Sequence, residues 1–205
     1  MGALNGRISP LALSVVGEVE DWKKALGEIT RHRFQPLDPK SGRQQSYGWV
    51  LLSDPFDNEF SLTNIFYGEH LVGLTLRVDA ITVPASQVKL HLARRVRQEL
   101  RQSGKESLPK AEISRLKEDL LTDLMARSLP SIKLHEMVFN TRKNRVWFFG
   151  KAKGLVMTFA ELFHETFGLT VVPDSPFTAA RDVLTPEGAE KLLELGEAGF
   201  VNPEA

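Results

Sequence analysis

The chain has 205 residues, of which 42% are hydrophobic, and its 26 lysines and arginines are balanced by 26 aspartates and glutamates. This composition is typical of a globular protein, and the length allows one large domain or two small ones. With no cysteine, disulfides and thiolate zinc sites are excluded, and no apolar stretch is long enough to predict a membrane span. Zero net charge argues against a protein that binds nucleic acid over its whole surface, but it allows a localised basic site.

The first part of the chain predicts strands around one helix. Leu11–Val16 is apolar and β-branched, which predicts a strand. Glu20–Arg33 has the apolar spacing of an amphipathic helix. Further strands are expected at Tyr47–Leu52, at Leu62–Tyr67 and at His70–Val83, the last two as a hairpin around Gly68 and Glu69.

Two long helices follow, each opened by a proline. The first is expected from Pro84 to Ser103-Gly104 and the second from Pro109 to Pro130, because proline is tolerated at a helix start. Apolar residues recur along both helices, at Val88, Leu92, Val96 and Leu100 in the first and at Ile113, Leu116, Leu120, Leu121 and Leu124 in the second. With a short polar connection between them, the two helices should pack antiparallel as a projecting hairpin.

The remaining sequence predicts a second hairpin, a helix and a last strand. The expected bounds are Ile132–Phe139 and Val146–Phe149 for the hairpin, Thr158–Phe167 for the helix, Leu169–Val172 for the strand and Glu187–Leu195 for a short tail helix. The predicted fold class is α+β, with a mainly antiparallel sheet built from strand-helix-hairpin units. The predicted domains are 1–82, 83–131 for the helical hairpin, 132–175 and a peripheral tail at 176–205.

The first long helix is strongly basic. Its one acidic residue is Glu99, against the basic residues Lys89, Arg94, Arg95, Arg97, Arg101 and Lys105. At about 100° per residue, Arg94, Arg97, Arg101 and Lys105 should form one stripe. Such a stripe could contact a row of phosphates. A solvated helix face is the alternative, although salt-bridged faces usually alternate in sign.

A second basic cluster lies at and beyond the predicted turn of the second hairpin. It consists of Arg142, Lys143, Arg145, Lys151 and Lys153, and no acidic residue occurs between Glu136 and Glu161. An ordinary polar turn is the alternative interpretation, especially for Lys143. The shared bias of two separate elements favours a polyanion as the partner.

Other residue groups predict little chemistry. The consecutive Trp147, Phe148 and Phe149 are expected in the core, with base stacking on Phe148 as the less favoured interpretation. None of the five histidines has metal-ligand spacing, so we predict no metal site and no cofactor. A loose cluster of Asp54, Asp57 and Glu59 leaves a nuclease-like enzyme open as an alternative, although turn formation explains these residues as well.

The sequence resembles the RdgC family of bacterial recombination-associated proteins. The pieces that carry the resemblance are Gly48-Trp49-Val50, Val83-Pro84-Ala85 leading into Lys89, Leu124 to Pro130, Asn140-Thr141-Arg142 leading into Val146-Trp147-Phe148, and Phe163 to Pro173. They extend over roughly residues 10 to 175, and their order and spacing are more specific than any single piece. The chain would be a short form without the C-terminal third of longer members, and Leu129 stands where those members carry an aromatic residue.

The resemblance implies a protein without catalytic activity that binds double-stranded DNA irrespective of sequence and restrains a recombinase. It also implies a homodimer that encircles the duplex, a cytoplasmic, nucleoid-associated location and no membrane partner. The DNA-binding residues would be Lys89, Arg94, Arg97, Arg101, Lys105, Arg142, Lys143, Arg145, Lys151 and Lys153.

A third interpretation is a protein-interaction module that docks a partner helix, in which case the apolar seam of the helical hairpin would be exposed instead of the arginine stripe.

Overall fold

A computed structural model describes residues 9–38 and 43–174, with the single positions 184, 188 and 191. The elements in chain order are β1 (Leu11–Val16), α1 (Trp22–Arg31), β2 (Gln45–Leu51), α2 (Leu62–Ile65), β3 (Leu71–Ala80), α3 (Ala85–Ser103), α4 (Lys110–Ala126), β4 (Ser131–Asn140), β5 (Arg145–Phe148), α5 (Lys153–Phe167) and β6 (Thr170–Pro173). The tail helix expected at Glu187–Leu195 lies outside the described residues. Among the described helices, none has the length and apolar character needed to cross a membrane.

The strands form one six-stranded sheet in the order β2-β3-β4-β5-β1-β6. Antiparallel registers join β2 to β3, β4 to β5, β5 to β1 and β1 to β6. The predicted α+β class with a mainly antiparallel sheet is therefore confirmed.

The strand expected at Leu62–Tyr67 is wrong, because the chain forms the short helix α2 there. Polar side chains bind the local backbone: Asn64 Oδ1 accepts the N–H of Ser61 at 2.8 Å, and its Nδ2 donates to the carbonyl of Glu59 at 2.9 Å. Such local bonds compete with a strand ladder. What remains of the expected hairpin is an isolated bridge between Phe66 and Val72.

Helix α5 begins at Lys153, five residues before the expected start at Thr158. Gly154 lowers the helical propensity of the first turn, which conceals the start in the sequence. The turn is nevertheless closed by bonds from the Val156 N–H to the Ala152 carbonyl at 3.0 Å and from Thr158 Oγ1 to the Gly154 carbonyl at 3.1 Å.

The chain forms two compact units, each built from separated segments. Of the described residues, the first unit contains those up to Ala25, Phe66–Gly73 and those from Glu136 onward; the second contains those of Leu26–Ile65 and Leu74–His135. The helical pair α3 and α4 lies entirely in the second unit. The consecutive four-part division predicted from the sequence stays a prediction.

Aromatic side chains form much of the core of the first unit. Phe148 on β5 stacks on Phe159 of α5, with ring centroids 4.0 Å apart and planes 16° apart. Phe139 meets Phe163 edge to face at 5.6 Å, and Trp22 meets Phe66 at 4.9 Å. Phe148, Phe159 and Phe163 are completely buried, so the prediction of core packing for Phe148 is confirmed and base stacking on this ring is excluded.

In the second unit the segment after α1 lies against the outer edge of β2. The Trp49 N–H donates to the His32 carbonyl at 3.0 Å, and the Phe34 N–H donates to the Trp49 carbonyl at 2.9 Å. This close approach requires glycine at position 48, because an added Cβ would lie 2.6 Å from the Cα and N of Phe34. Trp49 is fully buried beside these bonds.

Candidate nucleic-acid interface

Helices α3 and α4 form the antiparallel hairpin that the sequence predicts. Proline occupies the N-cap of each helix, and Gly104 ends α3 in the left-handed conformation with a φ of 66°. The two helices pack together, with Val88 of α3 and Leu120 of α4 buried. Two ion pairs join the helices in this antiparallel register: one between Arg95 and Asp123, and one in which Lys105 Nζ lies 3.7 Å from Glu112 Oε2.

Three arginines on the outer side of α3 form the candidate interface. Arg94, Arg97 and Arg101 are exposed and line one groove of about 670 Å³ together with Leu90, Ala93 and Gln98. Their side chains make no hydrogen bond or ion pair with the rest of the described chain. We call Arg94, Arg97 and Arg101 the arginine row; it has the accessibility that contact with an external anion requires.

Lys105 does not extend this row as a fourth helical member. Helix α3 ends at Ser103, and the left-handed Gly104 turns the chain before Lys105 is reached. The Lys105 ammonium pairs with Glu112 of α4. The prediction of a four-residue helical stripe is therefore wrong at its last position, because the glycine cap breaks the 100° repeat.

Lys89 and Arg95 also lie away from the row. Lys89 is exposed but lines a different groove, which contains Val83, Leu92 and Lys117. Arg95 is turned towards α4 and pairs with Asp123. Helix α4 thus supplies the acidic partner of Arg95. The charges along α3 alone do not predict this pair.

In the first unit, the second basic cluster begins at the turn between β4 and β5. Asn140 Oδ1 accepts the N–H of Lys143 at 2.9 Å, and Asn144 takes a positive φ of 46°, a conformation that asparagine tolerates. Arg142 and Lys143 are exposed on this turn. The turn therefore presents two cations on a backbone that its asparagines hold in place.

Arg145 has a structural partner. Its Nε lies 3.2 Å from Oδ2 of Asp174, whose Oδ1 accepts the hydroxyl of Ser14 at 2.7 Å. Arg145 thus ties β5 to the chain that follows β6. Lys151 and Lys153 are exposed at the start of α5. The cluster and the arginine row belong to different compact units, so each is considered as a surface of its own.

The acidic residues of the nuclease alternative are engaged with their own loop. Asp54 Oδ1 accepts the N–H of Phe56 at 2.9 Å, and Asp57 Oδ1 accepts the N–H of Glu59 at 2.8 Å. Such side-chain-to-backbone bonds are those of turn-forming aspartates. Within the described ranges, no three His, Asp or Glu side chains come together as a group that could hold a metal ion.

One small cavity between α3 and α4 was not predicted from the sequence. It has a volume of about 210 Å³, and its wall includes His91, Arg94, Arg95, Asp123 and Arg127. Arg127 follows the last residue of α4, far from α3 in sequence. Only the antiparallel register brings Arg127 opposite His91. The cavity could have been predicted only by aligning the residues of the two helices with each other.

A family model described as "Putative exonuclease, RdgC" matches residues 16–186 of the 205. The chain belongs to the RdgC family. The resemblance inferred from Gly48-Trp49-Val50 and the other pieces is therefore confirmed. The matched range includes the RdgC segments that carry the arginine row and the second basic cluster. No curated protein matches the chain.

Proposed function

We propose that this RdgC-family chain binds double-stranded DNA without sequence preference, through phosphate contacts of the arginine row. The observation that carries the proposal is the exposure of Arg94, Arg97 and Arg101 along one groove, without intramolecular partners in the described part of the chain. A guanidinium group binds phosphate oxygens through paired hydrogen bonds, and it keeps its charge at any physiological pH.

The spacing of the row fits a run of backbone phosphates better than it fits the reading of bases. The seven helical steps from Arg94 to Arg101 extend over about 10 Å of helix axis, so the three cations form a short line. Contacts with phosphates position a protein on DNA but carry no base information. The expected binding is therefore similar for all duplex sequences.

Arg142 and Lys143 on the turn before β5, and Lys151 and Lys153 beyond the other end of β5, provide further candidate contacts for phosphates. All four are exposed, and none forms an ion pair with an acidic side chain among the described residues. Lys105 and Arg145 remain candidates only as secondary contacts, because each would have to share its cation with Glu112 or Asp174. Lys89 could contact phosphates only if the DNA also extended beyond the groove of the arginine row.

The biological role that we propose follows from the family. RdgC proteins are associated with recombination, and a protein that covers duplex DNA limits the access of a recombinase without catalysis. We propose a homodimer as the binding form. The exposed arginine row and the packed apolar seam do not favour a module that docks a partner helix through that seam.

Fluorescence anisotropy with two duplexes of unrelated sequence tests the DNA-binding proposal. Arg97→Gln should weaken binding to both duplexes by the same factor, about tenfold, because one charge-assisted contact is lost. The matched control is Arg115→Gln, which removes an exposed arginine from α4, outside the groove. Unchanged affinity in the Arg97 variant, or a loss confined to one sequence, would refute the proposal.

The exonuclease of the family description can be tested in the same samples. We expect linear duplex DNA to keep its length during incubation with Mg²⁺ or Mn²⁺, because Asp54 and Asp57 are already bonded to their own turn. Progressive shortening that Asp57→Asn abolishes would establish the nuclease alternative instead.

A further inference from the structure

The cavity between α3 and α4 lies beside the arginine row and shares Arg94 and Gln98 with its groove. Hydrogen-bond donors converge on it from both helices: His91, Arg94 and Arg95 from α3, and Arg127 from the end of α4. Leu120 and Leu124 supply apolar surface. A cavity with several converging donors and a mostly polar lining is suited to a compact anion.

The charge of the cavity wall matches a dianion. Three arginines face a single acidic group, Asp123, which already pairs with Arg95. Arg94 and Arg127 have no ion-pair partner in the described chain. The excess of two positive charges equals the charge of a phosphate monoester, which is about −1.5 to −2 at neutral pH, whereas an internal phosphodiester carries only one negative charge.

The end of α4 would normally oppose an anion, because the last carbonyls of a helix are unpaired and partly negative. Here the Arg127 N–H bonds to the carbonyls of Leu124 and Met125. Ser128 adds its N–H to the Met125 carbonyl at 3.1 Å and its hydroxyl to the Leu124 carbonyl at 2.7 Å. With these two carbonyls satisfied, the end of α4 opposes an anion less strongly.

The size of the cavity suits a compact terminal group. Its volume of about 210 Å³ is below the roughly 300 Å³ at which pockets for whole small molecules begin. It nevertheless exceeds several times the roughly 30 Å³ that one water molecule occupies in the liquid. A phosphate with bound water fits this space.

We propose that the cavity holds the terminal phosphate monoester of a nucleic-acid strand. The inference rests on the proposed function, because the arginine row would hold the duplex that leads to this end, with Arg94 common to both. The chain would then bind phosphorylated DNA ends more tightly than hydroxyl ends. A free mononucleotide offers the same phosphate chemistry but lacks the adjoining backbone.

The test compares two blunt duplexes of identical sequence and internal label, one with 5′-phosphates and one with 5′-hydroxyls, at constant ionic strength. The phosphorylated duplex should bind about tenfold more tightly, because its dianion gains charge-assisted hydrogen bonds. Arg127→Gln should bring the affinity ratio to one, since Arg127 lines the cavity but not the groove. Arg101→Gln should weaken both duplexes equally and keep the ratio. A ratio of one in the native chain would overturn the proposal.

A second arm separates this proposal from DNA binding itself. Amide NMR shifts would be followed while adenosine 5′-monophosphate and, separately, adenosine are added. The proposal is supported if residues 91, 94 and 127 show saturable shifts with the monophosphate but not with adenosine, and if the monophosphate binds more weakly than the phosphorylated duplex. Binding of the monophosphate as tight as that of the duplex, or no saturable shift, overturns it. If neither duplex binds, the proposed function is wrong. A strand end is then also excluded as the ligand of the cavity, even if the monophosphate binds.

Discussion

At the scale of single residues, Gly48 shows how a side chain can be excluded by backbone alone. The backbone of Arg33 and Phe34 runs so close to β2 that a Cβ at position 48 would overlap it. Because backbone atoms held by hydrogen bonds to Trp49 cannot move away cheaply, the position tolerates no larger residue.

We expect Gly48→Ala to lower the free energy of unfolding by about 1–3 kcal/mol or more, the usual cost of overpacking. Gly27→Ala is the matched control, because no atom lies within 4 Å of its added Cβ and the residue is within α1. That change should raise stability by about 0.5–1 kcal/mol. Urea denaturation measures the free energy of unfolding of both variants. If Gly48→Ala were as stable as the native chain, the backbone beside position 48 would be able to move aside.

Thr75 is a second residue whose environment makes a sharp prediction. Its side chain on β3 is buried, and its hydroxyl has no hydrogen-bond partner among the described residues. Thr75→Val keeps the shape and removes the unsatisfied hydroxyl, so it should raise the free energy of unfolding by about 1 kcal/mol. A lower melting temperature in this variant would mean that the hydroxyl is bonded in solution.

Several site residues were predictable from sequence and others were not. The exposure of Arg94, Arg97 and Arg101 follows from helical periodicity, because Val88 and its apolar repeat set the opposite face. The partners of Arg95, Lys105 and Arg145 do not follow. Each pair joins residues from different elements, such as Arg145 and Asp174, and periodicity within one element carries no information about its neighbour.

At the scale of elements, the helical hairpin was predicted because its ends are marked. Proline at positions 84 and 109 and glycine at position 104 give local backbone signals that need no tertiary contact. Helix α2 had no such signal. Its polar residues bond to nearby backbone, and the apolar Leu62 and Ile65 were compatible with a strand as well.

The packing of α3 on α4 can be tested apart from DNA binding. Leu120 is 3% exposed, so Leu120→Ala should cost about 2–5 kcal/mol of unfolding free energy. Arg101→Ala should change stability by less than about 0.5 kcal/mol, because its side chain is exposed. Calorimetry of the two variants gives the comparison. Unfolding caused by Arg101→Ala would make this arginine a structural residue and remove it from the row.

At the scale of the whole molecule, the class of fold was predictable but the composition of the two units was not. Alternating apolar patterns predict strands and therefore an antiparallel sheet. The first unit, however, joins residues near Trp22, Phe66 and Phe139, which are distant in the chain. Which distant segments share a core depends on tertiary packing, and the sequence pattern of each segment is compatible with many partners.

The proposed homodimer predicts the mass of the free protein in solution. Light scattering of the free protein at high concentration should report twice the mass of one chain, since symmetric dimers are the commonest protein assemblies and the resemblance to RdgC proteins implies a dimer. A single-chain mass at every concentration would exclude encirclement of DNA by two subunits. It would leave the arginine row as a one-sided interface.

Neutralisation of DNA phosphates by the arginine row makes DNA affinity depend on salt concentration, and titrations over a series of salt concentrations measure this dependence. Each phosphate contact contributes about −0.9 to the slope of log K against log salt concentration. Replacing Arg94, Arg97 and Arg101 together by glutamine should therefore flatten the slope by about 2.7 units. Arg115→Gln should leave it unchanged. A triple variant that keeps the native slope and affinity would contradict the account.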